Sequence, residues 1–324
     1  MTILVTGGAG YIGSHTVRLL RSLDRDVVVL DSLVRGNVAS LLGAPFEQAD
    51  ICDSEAVTDI CRRHKVDTVV HFAAYKSAGE SMTNPGVYWH NNVFGTTQLV
   101  EGMLAANVKK IVFSSSAAVY GNPVSLPITE DSPITPENVY AETKAVMERV
   151  ISWYGVTHGL RWVSLRYFNA AGASDDGVLG EDWSITTNLM PLVMKAALGA
   201  SGPIQVLGND YPTPDGTGVR DYIHVEDLAT AHEAALDHLD RDGANITLNL
   251  GTGHGCSVLE VLRAVEDVSG KAVPHEIVSR RAGDPAIVYA DASLAERTLG
   301  WKATRGLSDI VSSAYSWHVR HMST

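Results

Sequence analysis

The feature that most constrains this chain is its first glycine turn. Ile3, Leu4 and Val5 form a short apolar run that leads into Gly7-Gly8-Ala9-Gly10-Tyr11-Ile12-Gly13. A helical pattern follows through Val17, Leu19 and Leu20, and a second apolar run, Val27–Leu30, ends at Asp31. Strand, glycine turn, helix, strand and acid in this order form a βαβ unit. The glycines allow a tight turn and a close approach of backbone to a pyrophosphate, while the helix N-terminus offers free N–H groups and a positive dipole end. Gly7, Gly10 and Gly13 are therefore candidate dinucleotide contacts. Asp31 stands 18 residues beyond Gly13, where a carboxylate accepts hydrogen bonds from an adenosine ribose and repels a 2′-phosphate. That favours NAD over NADP, with Arg35 as the nearby residue that could receive such a phosphate.

Further strands alternate with helices. Strands are expected around Pro45–Ala49, Asp67–Phe72, Lys110–Phe113 and Arg161–Leu165, and helices near Ser54–Arg63, Val87–Ala106 and Tyr140–Tyr154. This alternation predicts an α/β fold built on a doubly wound parallel Rossmann sheet, with ligands at the carboxyl ends of its strands. The chemically informative residues gather at those ends: Asp50-Ile51, then His71-Phe72-Ala73-Ala74-Tyr75-Lys76, then Ser114-Ser115-Ser116. Serines after a strand also serve as helix caps or turn formers, and small residues also serve packing. Their recurrence at one rim is the informative point.

Tyr140 and Lys144 lie four apart in a run of good helix formers, after a loop containing Pro133 and Pro136. That spacing puts both on one helix face. A phenol beside an ammonium has its anionic form favoured, which is expected to lower its pKa toward the range useful for proton exchange.

Beyond Leu165 the pattern is less regular. Tyr167–Gly172 leads to a polar loop with Asp175, Asp176, Glu181 and Asp182; Asn188-Leu189-Met190-Pro191 opens a helix; and Asn209–Arg220 is a turn-rich segment that reads as a binding loop. A strand and helix are expected over Tyr222–Leu239 and a strand over Ile246–Leu250. After these come a helix (Val258–Val268), strands near Ala272–Val278 and Ile287–Tyr289, and two final helices. The expected division is a NAD-binding part over residues 1–166, to which 220–251 return, and a smaller mixed α/β C-terminal substrate-binding lobe over 167–219 and 252–324.

Composition narrows the function classes. With 45% hydrophobic and 19% charged residues the chain is of ordinary globular type. A formal net charge of −12 argues against a nucleic-acid surface, and no apolar run reaches the ~18 to 20 residues a membrane span needs. The three cysteines, Cys52, Cys61 and Cys256, show no metal-ligand spacing. With no basic region ahead of the first apolar run, they point to a reducing cytoplasm. No metal site is expected.

The chain resembles the extended short-chain dehydrogenase/reductase family over nearly its whole length. The resemblance rests on Gly7–Gly13, on Ser114-Ser115-Ser116-Ala117-Ala118-Val119-Tyr120-Gly121, on Tyr140-x-x-x-Lys144 and on Arg166-Tyr167-Phe168-Asn169. It is tightest over Asn209–His224, which is similar to the nucleotide-sugar loop of the family's UDP-hexose 4-epimerases. The resemblance implies a catalytic set of Tyr140, Lys144 and Ser116. It implies NAD contacts from the glycine loop, Tyr11 and Ile12 included, and from Asp31, Asp50, Ile51, Phe72, Ala73, Ala74, Lys76, Asn91, Tyr140, Lys144 and Phe168. It assigns the UDP-sugar to Ser116, Asn169, Asn188, Leu189, Gln205, Val206, Leu207, Arg220, Arg281, Asp284 and Val288.

The implied activity is reversible 4-epimerisation of a UDP-hexose through a 4-ketose, with NAD retained and a homodimer formed through the helices at Val87–Ala106 and Tyr140–Tyr154. Nucleotide-sugar 4,6-dehydratases are the competing class. They carry an Asp-Glu pair after the fifth strand, where this chain has Ala117-Ala118, which cannot transfer protons. A non-catalytic NAD sensor would lack Tyr140, Lys144 or Ser116, and all three are present. The position of Val288 holds a bulky Tyr in relatives that resist N-acetylated sugars, so acceptance of those sugars is expected unless Tyr289 or a shifted loop closes the pocket; a pentose substrate such as UDP-xylose is also open.

Overall fold

β1 (Thr2–Thr6) is an interior strand of the main sheet, with parallel neighbours on both sides. The computed structural model describes residues 1–182, 188–281 and 283–321. On one side of β1 lie β2 (Asp26–Asp31) and β3 (Phe46–Gln48); on the other lie β4 (Val66–His71), β5 (Lys110–Ser116) and β6 (Arg161–Tyr167). Three short strands follow outside this sheet: β7 (Asn169–Ala171), β8 (Ile204–Leu207) and β9 (Val219–Arg220). β10 (Tyr222–His224) pairs with β7, and β11 (Ile246–Leu250) joins β6 as the last strand of the main sheet. The seven-stranded order is β11-β6-β5-β4-β1-β2-β3, all parallel. The doubly wound reading of the sequence is thus met.

Side-chain alternation explains the two covered faces. Ile3 and Val5 point to the face packed by α1 (Tyr11–Ser22), sharing a cluster with Val17, Leu20, Leu228 and Leu236. Leu4 and Val28 point the other way, onto α2 (Ser54–Arg63), where they meet Val57, Leu99, Met103 and Met147. Each fully buried side chain of this size contributes about 1.5–3 kcal/mol.

Between β4 and β5 the chain is more broken than its pattern predicts. α3 (Ala78–Thr83) was not legible, and the helix expected over 87–106 forms as α4 (Pro85–Tyr88) and α5 (Gly95–Ala105), joined by a π turn at Trp89–Phe94. α6 (Val139–His158) is capped by the Asn138 side chain, which accepts from the Ala141 N–H, and ends at Gly159 with φ 68°. It extends past the Tyr154 boundary read from the sequence.

In the remainder, α7 (Leu189–Ala197) precedes β8, and α8 (Val225–Asp240) packs on α1. β12 (Cys256–Ser257) pairs with β9 and leads into α9 (Val258–Ser269), which starts with a Ser257/Glu260 capping box. β13 (His275–Val278) pairs with β8, and β14 (Ile287–Val288) pairs with β9. α10 (Ser293–Leu299) and α11 (Leu307–His321) complete the described residues. Met190, Val193, Val206, Val261, Val265 and Ile310 form this region's own core.

Candidate active site

Three successive residues at the end of β5 meet three successive turns of α6. The Ser114 carbonyl accepts from the Lys144 ammonium at 2.7 Å, and the Ser115 hydroxyl donates to Glu148 Oε1 at 2.5 Å. The Ser116 hydroxyl is the partner of the Tyr140 phenol. Residues 140, 144 and 148 share a helix face, so a strand end running beside that face touches each in turn. Ser116 also accepts from the Ala118 N–H at 3.2 Å, keeping the cap role open to it.

Elements that the sequence did not reveal hold this helix in place. The Tyr140 N–H donates to Ser81 Oγ of α3 at 3.1 Å. Asn92, in the π turn, donates to Thr143 Oγ1 at 3.0 Å and exchanges hydrogen bonds with the backbone of Tyr75. A π turn redirects side chains that an unbroken α-helix would space differently; here it ties the loop after β4 to α6.

Burial governs the electrostatics. Desolvation pushes the Tyr140 phenol up, and the Ser116 hydroxyl works in the opposite direction. This corrects the expectation that the paired lysine leaves the phenol lowered. The lysine is itself brought down to about 7 by burial, with Glu148 pulling it back up, so its ammonium is only partly populated at neutral pH. His71, buried between Thr6 and Thr96, is brought down to about 3 and stays neutral.

A cleft of about 870 Å³ opens along the carboxyl edge of the sheet. Gly7, Gly10, Tyr11, Ile12, Gly13, Asp31, Asp50, Ile51, Phe72, Ala73, Ala74, Lys76, Asn91 and Phe168 all line it, as do Ser116, Tyr140 and Lys144. Its donor chemistry suits a dinucleotide. Gly10 is the N-cap of α1 and supplies no side-chain cap, which leaves the first-turn N–H groups for a phosphate. Gly7 requires its positive φ of 72°, and a Cβ on Gly13 would meet the Gly7 carbonyl at 2.3 Å. Asp31 accepts from the Ala9 and Leu33 N–H groups, and a carboxylate keeps acceptor capacity for a ribose beyond those two. Arg35 is held by Glu80 at 2.6 Å and lies over the Tyr75 ring, an arrangement that favours NAD over a 2′-phosphorylated cofactor.

Residues 3–251 match the profile of the NAD dependent epimerase/dehydratase family. The chain belongs to that family. Among its relatives, UDP-glucose 4-epimerase of Halalkalibacterium halodurans is 47% identical over 322 residues, covering 99% of this chain and 96% of the relative. UDP-glucose 4-epimerase of Stenotrophomonas maltophila, crystallised with NAD and formylated UDP-arabinopyranose, superposes with a TM-score of 0.96 at 44% identity, covering 100% of this chain and 99% of that one. The UDP-Glc/GlcNAc 4-epimerase of Campylobacter jejuni superposes with a TM-score of 0.86 at 39% identity, covering 98% and 99%.

Of the substrate residues named from the sequence of this epimerase/dehydratase-family chain, Ser116, Asn169, Asn188 and Leu189 line the cleft. Asn188 donates to Glu181, which also accepts from Lys76. Gln205, Val206, Leu207, Arg220, Arg281, Asp284 and Val288 lie outside the cleft wall. Val206 is buried in the core of α7 and α9, so its side chain is not available to a ligand and its contact would be through backbone. Arg220 and Asp284 come together at 3.6 Å. Val288 packs on the cluster of Ala117, Phe168 and Tyr120, whereas Tyr289 lines a separate shallow pocket with Pro127 and Thr252.

Sequence reasoning missed Tyr167, Tyr222 and Trp317, all on the cleft wall. Tyr167 shares a hydrogen bond with Ser114 at 2.8 Å. Its place in Arg166–Asn169, at a strand's carboxyl end, was the available signal. Trp317 comes from the C-terminal helix, and nothing local to it points to the cleft.

Proposed function

We propose that this chain interconverts UDP-galactose and UDP-glucose by reversible epimerisation at C4 through a transient 4-ketose, retaining NAD throughout. The observation that carries the reading is the convergence of Tyr140, Lys144 and Ser116 on one cleft whose other wall suits a dinucleotide. Relatives that share nearly the full length and are named for this activity support it.

Bound NAD supplies hydride acceptance and return at the sugar C4, and a positive charge beside the phenol. Tyr140 takes the proton of the 4-hydroxyl and later gives it back. Ser116 hydrogen-bonds the same sugar oxygen and steadies the phenol. Lys144 opposes the rise that burial imposes on Tyr140 whenever its ammonium is charged. Arg220 and Arg281 anchor the diphosphate, as forked guanidinium groups do, and Asn169 and Asn188 meet sugar or base. Affinity then resides at the UDP end, which leaves the 4-ketose loose enough to turn about its phosphate linkage. In this reading residues 1–166 and 220–251 carry NAD, and 167–219 and 252–324 carry the UDP-sugar.

Ala117 and Ala118 sit where a dehydratase needs an acid and a base, and neither can serve. N-acetylated UDP-hexoses are accepted as well, because Val288 is small where it packs beside Ala117 and Phe168. The chain pairs as a homodimer through the helices after β4 and α6, where Phe94 (45% exposed), Trp153 (64%) and Val156 (75%) leave large apolar side chains uncovered. A reducing cytoplasm suits its three free cysteines, and among the described residues no helix is long and apolar enough to cross a membrane.

Incubation with UDP-galactose and no added reductant tests the reading. UDP-glucose without net NADH is the expected product; a 4-keto-6-deoxy sugar would assign the chain to the dehydratases instead.

A further inference from the structure

One turn beyond Lys144, α6 carries a buried carboxylate that the proposed chemistry does not use. Glu148 accepts from Arg166 through both oxygens, from Nε at 2.9 Å and Nη2 at 2.6 Å, and from the Ser115 hydroxyl. Both side chains of this ion pair are about one-tenth exposed. Arg166 continues to the Tyr120 hydroxyl at 2.8 Å, which donates to Asn249 at 2.7 Å. A chain of groups therefore runs from β11 through β6 to α6.

A buried ion pair of this kind is costly to desolvate and is weak evidence for stability by itself. Its position offers a reason for it. Glu148 grips Ser115, whose neighbours on either side serve Lys144 and Tyr140, so the clamp fixes the register of β5 against α6. We infer that Glu148 is a positioning residue: through Ser115 it holds the Ser114 carbonyl in register with Lys144, and it places an anion on the same face of α6. The inference rests on the reading of Lys144 as a catalytic group.

The charged and titratable groups around Lys144 are few. Tyr140 and Glu148 lie on its own helix, and the Ser114 carbonyl faces it from β5. His71 faces it from β4 and stays neutral. From β6 come Tyr167, pushed up by burial, and Arg166, the cation paired with Glu148, which offsets part of the Glu148 charge. Glu148 is thus the nearby anion that favours the Lys144 ammonium, against the burial that lowers it to about 7.

The sign follows. Removing the carboxylate weakens the ammonium, so Lys144 loses its proton at lower pH, and activity that needs the charge fails earlier as pH rises. At i, i+4 the two stems are about 5–6 Å apart, and an opposite charge within about 4–6 Å shifts a pKa by roughly one unit or more. The test uses Glu148→Gln and the double variant Glu148→Gln/Arg166→Gln. The double variant leaves no unpaired buried guanidinium and serves if the single one does not fold; because it removes a cation together with the anion, the shift it should show has the same sign and is smaller. Two readouts are taken on the NAD-loaded protein: the pH profile of epimerisation, and the pH titration of the Lys144 side chain by NMR of lysine labelled at Cε.

The expected result is that the Lys144 titration and the alkaline limb of the profile both move down by roughly one pH unit. The ratio of variant to native turnover then falls as pH rises. A Lys144 titration unchanged in a folded variant overturns the inference. An unmoved alkaline limb with a uniformly lowered rate also overturns it, leaving Glu148 a structural role alone. Absence of epimerisation in the native protein would instead strike at the parent reading, and the NMR titration would still decide what Glu148 does to Lys144.

Discussion

Lys144 donates its ammonium hydrogen bond to the main-chain carbonyl of Ser114 at 2.7 Å, inside a site where it is almost wholly buried. The bond aims the side chain, and burial lowers its pKa to about 7 from 10.5. In the folded state the neutral amine is favoured, so the unfolded chain binds the extra proton between about pH 7 and 10.5. This contribution to stability is complete above the unfolded value and is lost as pH falls through 7. Lys144→Met should therefore gain stability relative to the native protein at pH 6, and the gain should shrink steadily toward pH 10. Thermal unfolding of both proteins across that range checks it, and turnover of the variant should be nearly abolished.

Tyr140→Phe removes the hydroxyl that moves the proton and little else. General acid–base groups contribute about 10²–10⁴-fold, so kcat should fall in that range while bound NAD is retained. Turnover assays and the absorbance of co-purified cofactor measure the two effects separately.

Gly13→Ala places a methyl 2.3 Å from the Gly7 carbonyl and 2.9 Å from Gly8 Cα. Both neighbours are backbone of the phosphate turn, so the turn must open. A loss of about 1–3 kcal/mol is expected, seen as a lowered Tm together with loss of co-purified NAD.

Val288→Tyr fills the space beside Ala117 and Phe168. Turnover of UDP-N-acetylglucosamine should fall at least tenfold, and turnover of UDP-galactose should change only a few-fold. Equal losses on both sugars would remove Val288 from the account of substrate range.

Trp153→Glu, at an exposed position of α6, should convert a dimer to a monomer. Sedimentation equilibrium reads this directly, and a native protein that already sediments as a monomer would refute the pairing.

What the sequence disclosed and what it hid have physical causes. The strands of the sheet and helix α2 were legible because apolar runs bounded by turns and a 3.6-residue period are local signals. Ser114–Ser116 and Tyr140–Lys144 were legible because strand ends and helix faces place their side chains by geometry. β7 covers only three residues, too short for a period to register. The π turn at Trp89–Phe94 keeps the apolar pattern of a helix while shifting its phase, so the sequence reads one continuous helix there. The pKa directions of Tyr140 and Lys144 depended on burial by distant segments, which a four-residue spacing cannot carry. Trp317 reaches the cleft only through tertiary packing of α11.

The central claim is that hydride leaves the sugar C4 and returns to the same carbon. It is tested most directly with UDP-galactose carrying deuterium at C4, incubated with the protein in ordinary water without added cofactor. The account predicts UDP-glucose with deuterium retained at C4. Deuterium found at C6 of a 4-keto-6-deoxy product, or released to solvent, would contradict it.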